Sequence, residues 1–61
     1  MNKILKGRIY GKYGSQVDFA QENDIDETYV SKIVMGRRQL PPEKQKQWAE
    51  WLDCKVEDIF E

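Results

Sequence analysis

A chain of 61 residues with one cysteine and no histidine must hold itself together by packing alone. A single thiol closes no internal bridge, and no cluster of residues has the spacing of a zinc site. Domains this short bury only about 60% of the surface that they expose when unfolded. Stability therefore falls to an apolar core, helped or not by a partner chain. The length suits one domain, residues 1–61.

No run approaches the roughly 20 apolar residues of a membrane span. The start, MNKILKGRIY, is basic but lacks a long apolar block and a small-residue cleavage pattern, so it does not read as a signal peptide. These features suit a soluble, reduced, cytoplasmic protein. The net charge of −1 argues against a general polyanion binder. Residues 1–40 hold seven Lys/Arg against five Asp/Glu, whereas residues 41–61 hold three against six. One basic face on a near-neutral body is compatible with that split.

Short helical patterns separated by punctuation recur along the chain, and no stretch alternates apolar and polar for long enough to make a strand. Ile4, Leu5, Ile9, Tyr10 and Tyr13 keep helical spacing from about residue 2 to 13, although Gly7 and Gly11 weaken that helix by about 1 kcal/mol each against alanine. Gly14 breaks it. Ser15 caps a second helix, with Asp18 placed to reach back to the cap amide. Phe19 and Ala20 face inward, and Glu22-Asn23-Asp24 ends the helix. Asp26 caps a third helix with the apolar stripe Tyr29, Val30, Ile33 and Val34, and Gly36 stops it. Pro41-Pro42-Glu43 starts a fourth helix, since proline suits the first turn. Trp48, Ala49, Trp51 and Leu52 form its buried side; Lys44, Lys46, Gln47 and Glu50 stay in water. Asp53 interrupts, and Val56, Ile59 and Phe60 make a short last helix. The expected fold is all-α, a bundle of five short helices.

The link between helices two and three is only Asn23-Asp24-Ile25, which forces a sharp corner. The outer face of the third helix then holds Glu27, Thr28, Ser31, Lys32 and Met35, side chains that reach and hydrogen-bond. A B-DNA major groove about 12 Å wide admits one such helix.

The stretch SQVDFAQENDIDETYVSKIVMGRR resembles the helix-turn-helix of the phage Cro and repressor class, the xenobiotic-response-element-type DNA-binding domains. That pattern has Ser/Thr-Gln, two residues, Leu-Ala, a short turn, a capped recognition helix, and a glycine followed by basic residues. Here it reads Ser15-Gln16, Phe19-Ala20, Asp26, Val30, Ile33 and Gly36-Arg37-Arg38. WAEWLDCKVEDIF is similar to the family's closing segment, with Ala49, Leu52, Cys54 and Ile59-Phe60. The resemblance covers nearly the whole chain and implies a lambda-repressor-like fold. The chain departs from the pattern in three places. Asn23-Asp24 replaces an apolar residue and glycine in the turn, so Asp24 needs a left-handed conformation or a re-routed turn. Ile9 and Val34 stand where the family has a polar pair. Asp26 and Glu27 put acid at the start of the recognition helix.

The resemblance implies that Gln16 binds a phosphate at the start of helix two, and that Arg37 and Arg38 meet the backbone beyond the recognition helix. Thr28 and Lys32 would reach base edges, and Glu27 could accept from cytosine N4. Tyr29 and Ser31 would be further phosphate contacts, while Asp26 serves as a cap. Out of that frame, Lys32, Arg37 and Arg38 read as solvated charge, Gln16 as surface, and Glu27 as an ordinary helix-start stabiliser. Trp48 and Trp51 suit core packing better than base stacking, Cys54 suits a small buried hydrophobe, and Glu57, Asp58 and Glu61 suit a wet acidic end.

The function so implied is a sequence-specific double-stranded DNA-binding regulator, Cro- or repressor-like, of phage or another mobile element. It would act as a homodimer at least on DNA, without cofactor, metal, membrane or small-molecule ligand. The alternative keeps the fold as a protein-interaction module, antirepressor- or antitoxin-like. An enzyme is disfavoured, because the chain has no histidine, no glycine-rich phosphate loop and no carboxylate pair with an obvious cleft.

Overall fold

The computed structural model describes residues 1–60; Glu61 lies outside the described residues. Five helices follow in order: α1 (Lys3–Tyr13), α2 (Gln16–Glu22), α3 (Glu27–Met35), α4 (Pro42–Trp51) and α5 (Val56–Ile59). No strand occurs among the described residues, and no helix among them is long and apolar enough to cross a membrane.

Each helix boundary has a local chemical cause. The Asn2, Ser15 and Asp26 side chains accept backbone amides at the starts of α1, α2 and α3. Asp18 was expected to reach the amide of Ser15; its carboxylate instead accepts the Ser15 hydroxyl at 3.1 Å. Pro41 and Pro42 open α4, as their fixed φ favours.

The ends of α2, α3 and α4 share one device. At the end of α3, Gly36 takes φ 80°, its amide donates to the Ile33 carbonyl, and the Arg37 amide donates to the Lys32 carbonyl. This is the Schellman arrangement, which needs a left-handed residue. The ends of α2 and α4 repeat it with aspartate: Asp24 has φ 56° and Asp53 has φ 55°. The Ile25 amide donates to the Ala20 carbonyl at 2.9 Å, and the Cys54 amide to the Ala49 carbonyl at 3.0 Å. Of the two routes open to Asp24, the chain takes the left-handed one.

Leu5, Ile9, Phe19, Val30, Val34 and Trp48 are the largest fully buried side chains. Phe19 lies at the centre of an aromatic cluster, with Tyr13, Trp48 and Trp51 meeting it edge-on at 5.0–5.9 Å between ring centroids. Trp48 is buried as expected, and Trp51 is half-buried. Ala20 is closed off where α2 packs on α3, and Ile9 and Val34 both enter the core. The apolar stripe of α1 is narrower than its spacing suggests. Only Leu5 and Ile9 are buried, while Ile4 is 60% and Tyr10 45% exposed, because α2, α3 and α5 cover just one side of the helix. Leu40, in the loop before α4, joins the core, and the Gln45 side-chain Nε2 donates to its carbonyl.

One residue ties distant parts of the chain together. The Asn2 Oδ1 caps Leu5, its Nδ2 donates to the Ile59 carbonyl at 2.7 Å, and its backbone amide donates to the Val34 carbonyl at 2.7 Å. The start of α1 and the ends of α3 and α5 thereby meet at a single residue.

Candidate nucleic-acid interface

The outward side of α3 is set by its inward side. Val30, Ile33 and Val34 are buried, so helical geometry turns Glu27, Thr28, Ser31, Lys32 and Met35 away from the core. These five line one shallow groove of about 420 Å³ with Arg37. The wheel-derived face is thus one continuous surface. Ser31 is its least exposed member, and Met35 is 47% exposed.

A second hollow of about 360 Å³ lies along the other flank of α3, lined by Ile25, Asp26, Tyr29, Arg38 and Lys44 together with Thr28 and Lys32. Thr28 and Lys32 border both hollows. One helical turn apart, they form the ridge between them.

Arg38 leaves the chain beyond α3 and folds back over Tyr29, its guanidinium carbon 4.9 Å from the ring centroid. Tyr29 is partly buried, and its other neighbour is the edge of Trp48 at 6.4 Å. The core thus supports the ring, and the ring supports the arginine, so Arg38 projects from a braced position. Arg37, without such a platform, sits beside Lys32 and Met35 in the first groove. Gln16 is partly exposed at the first turn of α2 and lines neither hollow.

Lys44, in the first turn of α4, was placed by its helical position on a wet face. It is exposed, and the loop 37–41 brings it to the hollow that holds Lys32 and Arg38. Lys44 and the residues of α3 lie on different helices, so no helical spacing in the sequence links them. The two hollows together carry four cations, Lys32, Arg37, Arg38 and Lys44, against two carboxylates, Asp26 and Glu27. Asp26 accepts the Thr28 amide at 2.9 Å, which points its charge at the helix end.

No family model matches this chain, and neither a curated protein nor a solved structure matches it.

Proposed function

We propose that the chain is a sequence-specific double-stranded DNA-binding regulator of the helix-turn-helix type, with a lambda-repressor-like arrangement of its helices, and that α3 enters the major groove. The observation that carries this is the ridge of Thr28 and Lys32, standing between two hollows with a surplus of positive charge. A protruding pair one turn apart suits the edges of two or three adjacent bases, lysine favouring guanine O6/N7 and threonine a thymine methyl. Glu27, at the amino end of the same face, accepts from cytosine N4. Arg37, Arg38 and Lys44 flank the ridge and suit phosphates, and Gln16, Ser31 and Tyr29 complete the backbone contacts.

The acid at the start of α3 is compatible with this role, because Asp26 is engaged as a cap. An antirepressor- or antitoxin-like module would present a negative α3 face, and the four-to-two excess of cations favours DNA. One copy buries a small interface, about 600–1,000 Å², so two copies on half-sites one helical turn apart are expected. Occupancy of an operator would block transcription.

The experiment is selection from random duplexes, followed by titration of the selected site at several salt concentrations. Contact with a handful of phosphates makes log K fall steeply with log salt. A flat salt response, or no enriched sequence, overturns the assignment.

A further inference from the structure

The face of α1 that the core leaves bare forms a separate surface. Ile4, Gly7 and Gly11 line an open groove of about 670 Å³, with Leu52 from the end of α4 on its other side. Lys3 and Arg8 stand along it, and Lys12 and Asp53, paired at 2.8 Å, close one end. No residue of α3 lines it.

Packing within the chain does not account for the two glycines. Both lie in regular helix, and a Cβ added at either meets nothing within 4 Å. Glycine weakens a helix interior relative to alanine, so their presence costs stability without relieving any clash. What they provide is a trough on the outside of α1. Beside it, Ile4 leaves 60% of its surface in water. Small residues allow a second helix to pack near the short end of the usual 8–10 Å axis separation. From Ile4 to Gly11 the trough runs about 11 Å, the length of two helical turns.

The charge along the groove selects the partner. Among the described residues the ion pair is Lys12–Asp53, which leaves Lys3 and Arg8 as uncompensated cations at the rim. We propose that the α1 groove docks an acidic amphipathic helix of another protein, its apolar ridge seated over Gly7 and Gly11 and its carboxylates reaching Lys3 and Arg8. A second copy of this chain fits less well, because it brings the same surplus of positive charge to the groove. A phosphate backbone fits less well too, because it has nothing apolar to place against the exposed Ile4. The groove shares no residue with the two hollows beside α3, so a docked helix and a bound duplex are compatible.

The test is amide NMR of the ¹⁵N-labelled chain titrated with a designed helical peptide of about 15 residues, a Leu/Ala ridge flanked by glutamates. Shifts are expected at Ile4, Gly7, Gly11 and Leu52, with a Kd below about 1 mM. A twin peptide with lysine for glutamate binds far more weakly. The double variant Gly7→Ala, Gly11→Ala folds at least as well as the wild type, because alanine is the better helix former and clashes with nothing. It fills the trough and weakens peptide binding by about tenfold or more. Lys3→Glu with Arg8→Glu transfers the preference to the lysine peptide.

Absence of shifts at about 1 mM peptide overturns the proposal. So does a double-alanine variant that binds like the wild type, or a lysine peptide that binds equally well. Concentration-dependent self-association abolished by the double alanine assigns the groove to a second copy. Movement of the groove amides on adding a short duplex assigns it to DNA. Each of those two results also overturns the proposal. A duplex read only at α3 tests the DNA assignment separately, so either assignment can fail without the other.

Discussion

Asn2 offers the sharpest test of how this small chain is held together. Its side chain makes two hydrogen bonds of different kinds, one capping α1 and one reaching the Ile59 carbonyl 57 positions away. Loss of an N-cap costs about 1 kcal/mol. Loss of a part-buried hydrogen bond between neutral groups costs about another 1 kcal/mol. Asn2→Ala removes both and is expected to destabilise by about 2 kcal/mol, whereas Asn2→Ser keeps an equivalent cap but is too short to reach Ile59, and loses about 1 kcal/mol. Neither change touches the backbone bond from Asn2 to Val34. A domain of this size has a total stability of roughly 3–9 kcal/mol, so both effects are large fractions of it. Each kcal/mol moves the melting midpoint by about 4–8 °C, which places the serine variant near −6 °C and the alanine variant near −12 °C. Urea denaturation followed by tryptophan fluorescence and by helical circular dichroism gives the free energies. A serine variant as stable as the wild type refutes a contribution from the Ile59 bond. Equal losses in the two variants refute the cap.

Five further outcomes follow from the same geometry. Gly36→Ala is expected to destabilise by about 1 kcal/mol in urea melts, because its Cβ meets open space and only the left-handed backbone resists it. Asp24→Gly, at φ 56°, is expected to stabilise by about 0.5 kcal/mol in the same assay. In binding assays on the selected duplex, Lys32→Ala relaxes base preference, while Arg37→Ala weakens all sequences alike and shallows the salt slope by about 1. Tyr29→Phe keeps the ring under Arg38 and loses only the hydroxyl offered to a phosphate, so affinity for the duplex falls modestly, whereas Tyr29→Leu removes the platform as well and lowers it further. The Lys12 ammonium is raised above the ordinary lysine value of 10.5, chiefly by its hydrogen bond to Asp53. The folded value lies above the unfolded one, so the pair contributes fully below pH 10.5 and fades as pH rises through the elevated value. The stability gap between wild type and Lys12→Gln is therefore flat across neutral pH and closes as the pH rises past 10.5 through the elevated value.

Local chemistry made the helices legible. Ser15, Asp26 and the Pro41-Pro42 pair start helices wherever they occur after a turn, because each satisfies or removes an orphan amide of the first turn. Gly36 and the apolar spacing of Val30, Ile33 and Val34 set the end and the buried stripe of α3, and with them the outward grouping of Glu27, Thr28, Ser31, Lys32 and Met35. Other features depend on what lies beside a residue in space. Nothing about Ile4 or Tyr10 marks them as exposed; the packing of α2, α3 and α5 on one side of α1 does. Arg38 could have pointed anywhere until Tyr29 was seen to be braced by Trp48 beneath it.

The number of helices, where they end and which stripe of α3 faces the core were written in local signals, because caps, stops and periodicity act within one or two turns. The junction of three helices at Asn2, the company of Lys44 with Lys32 and Arg38, and the groove along the glycines of α1 came from packing. Those are relations between residues far apart in the chain, and they exist only once the core closes and fixes the helices against one another.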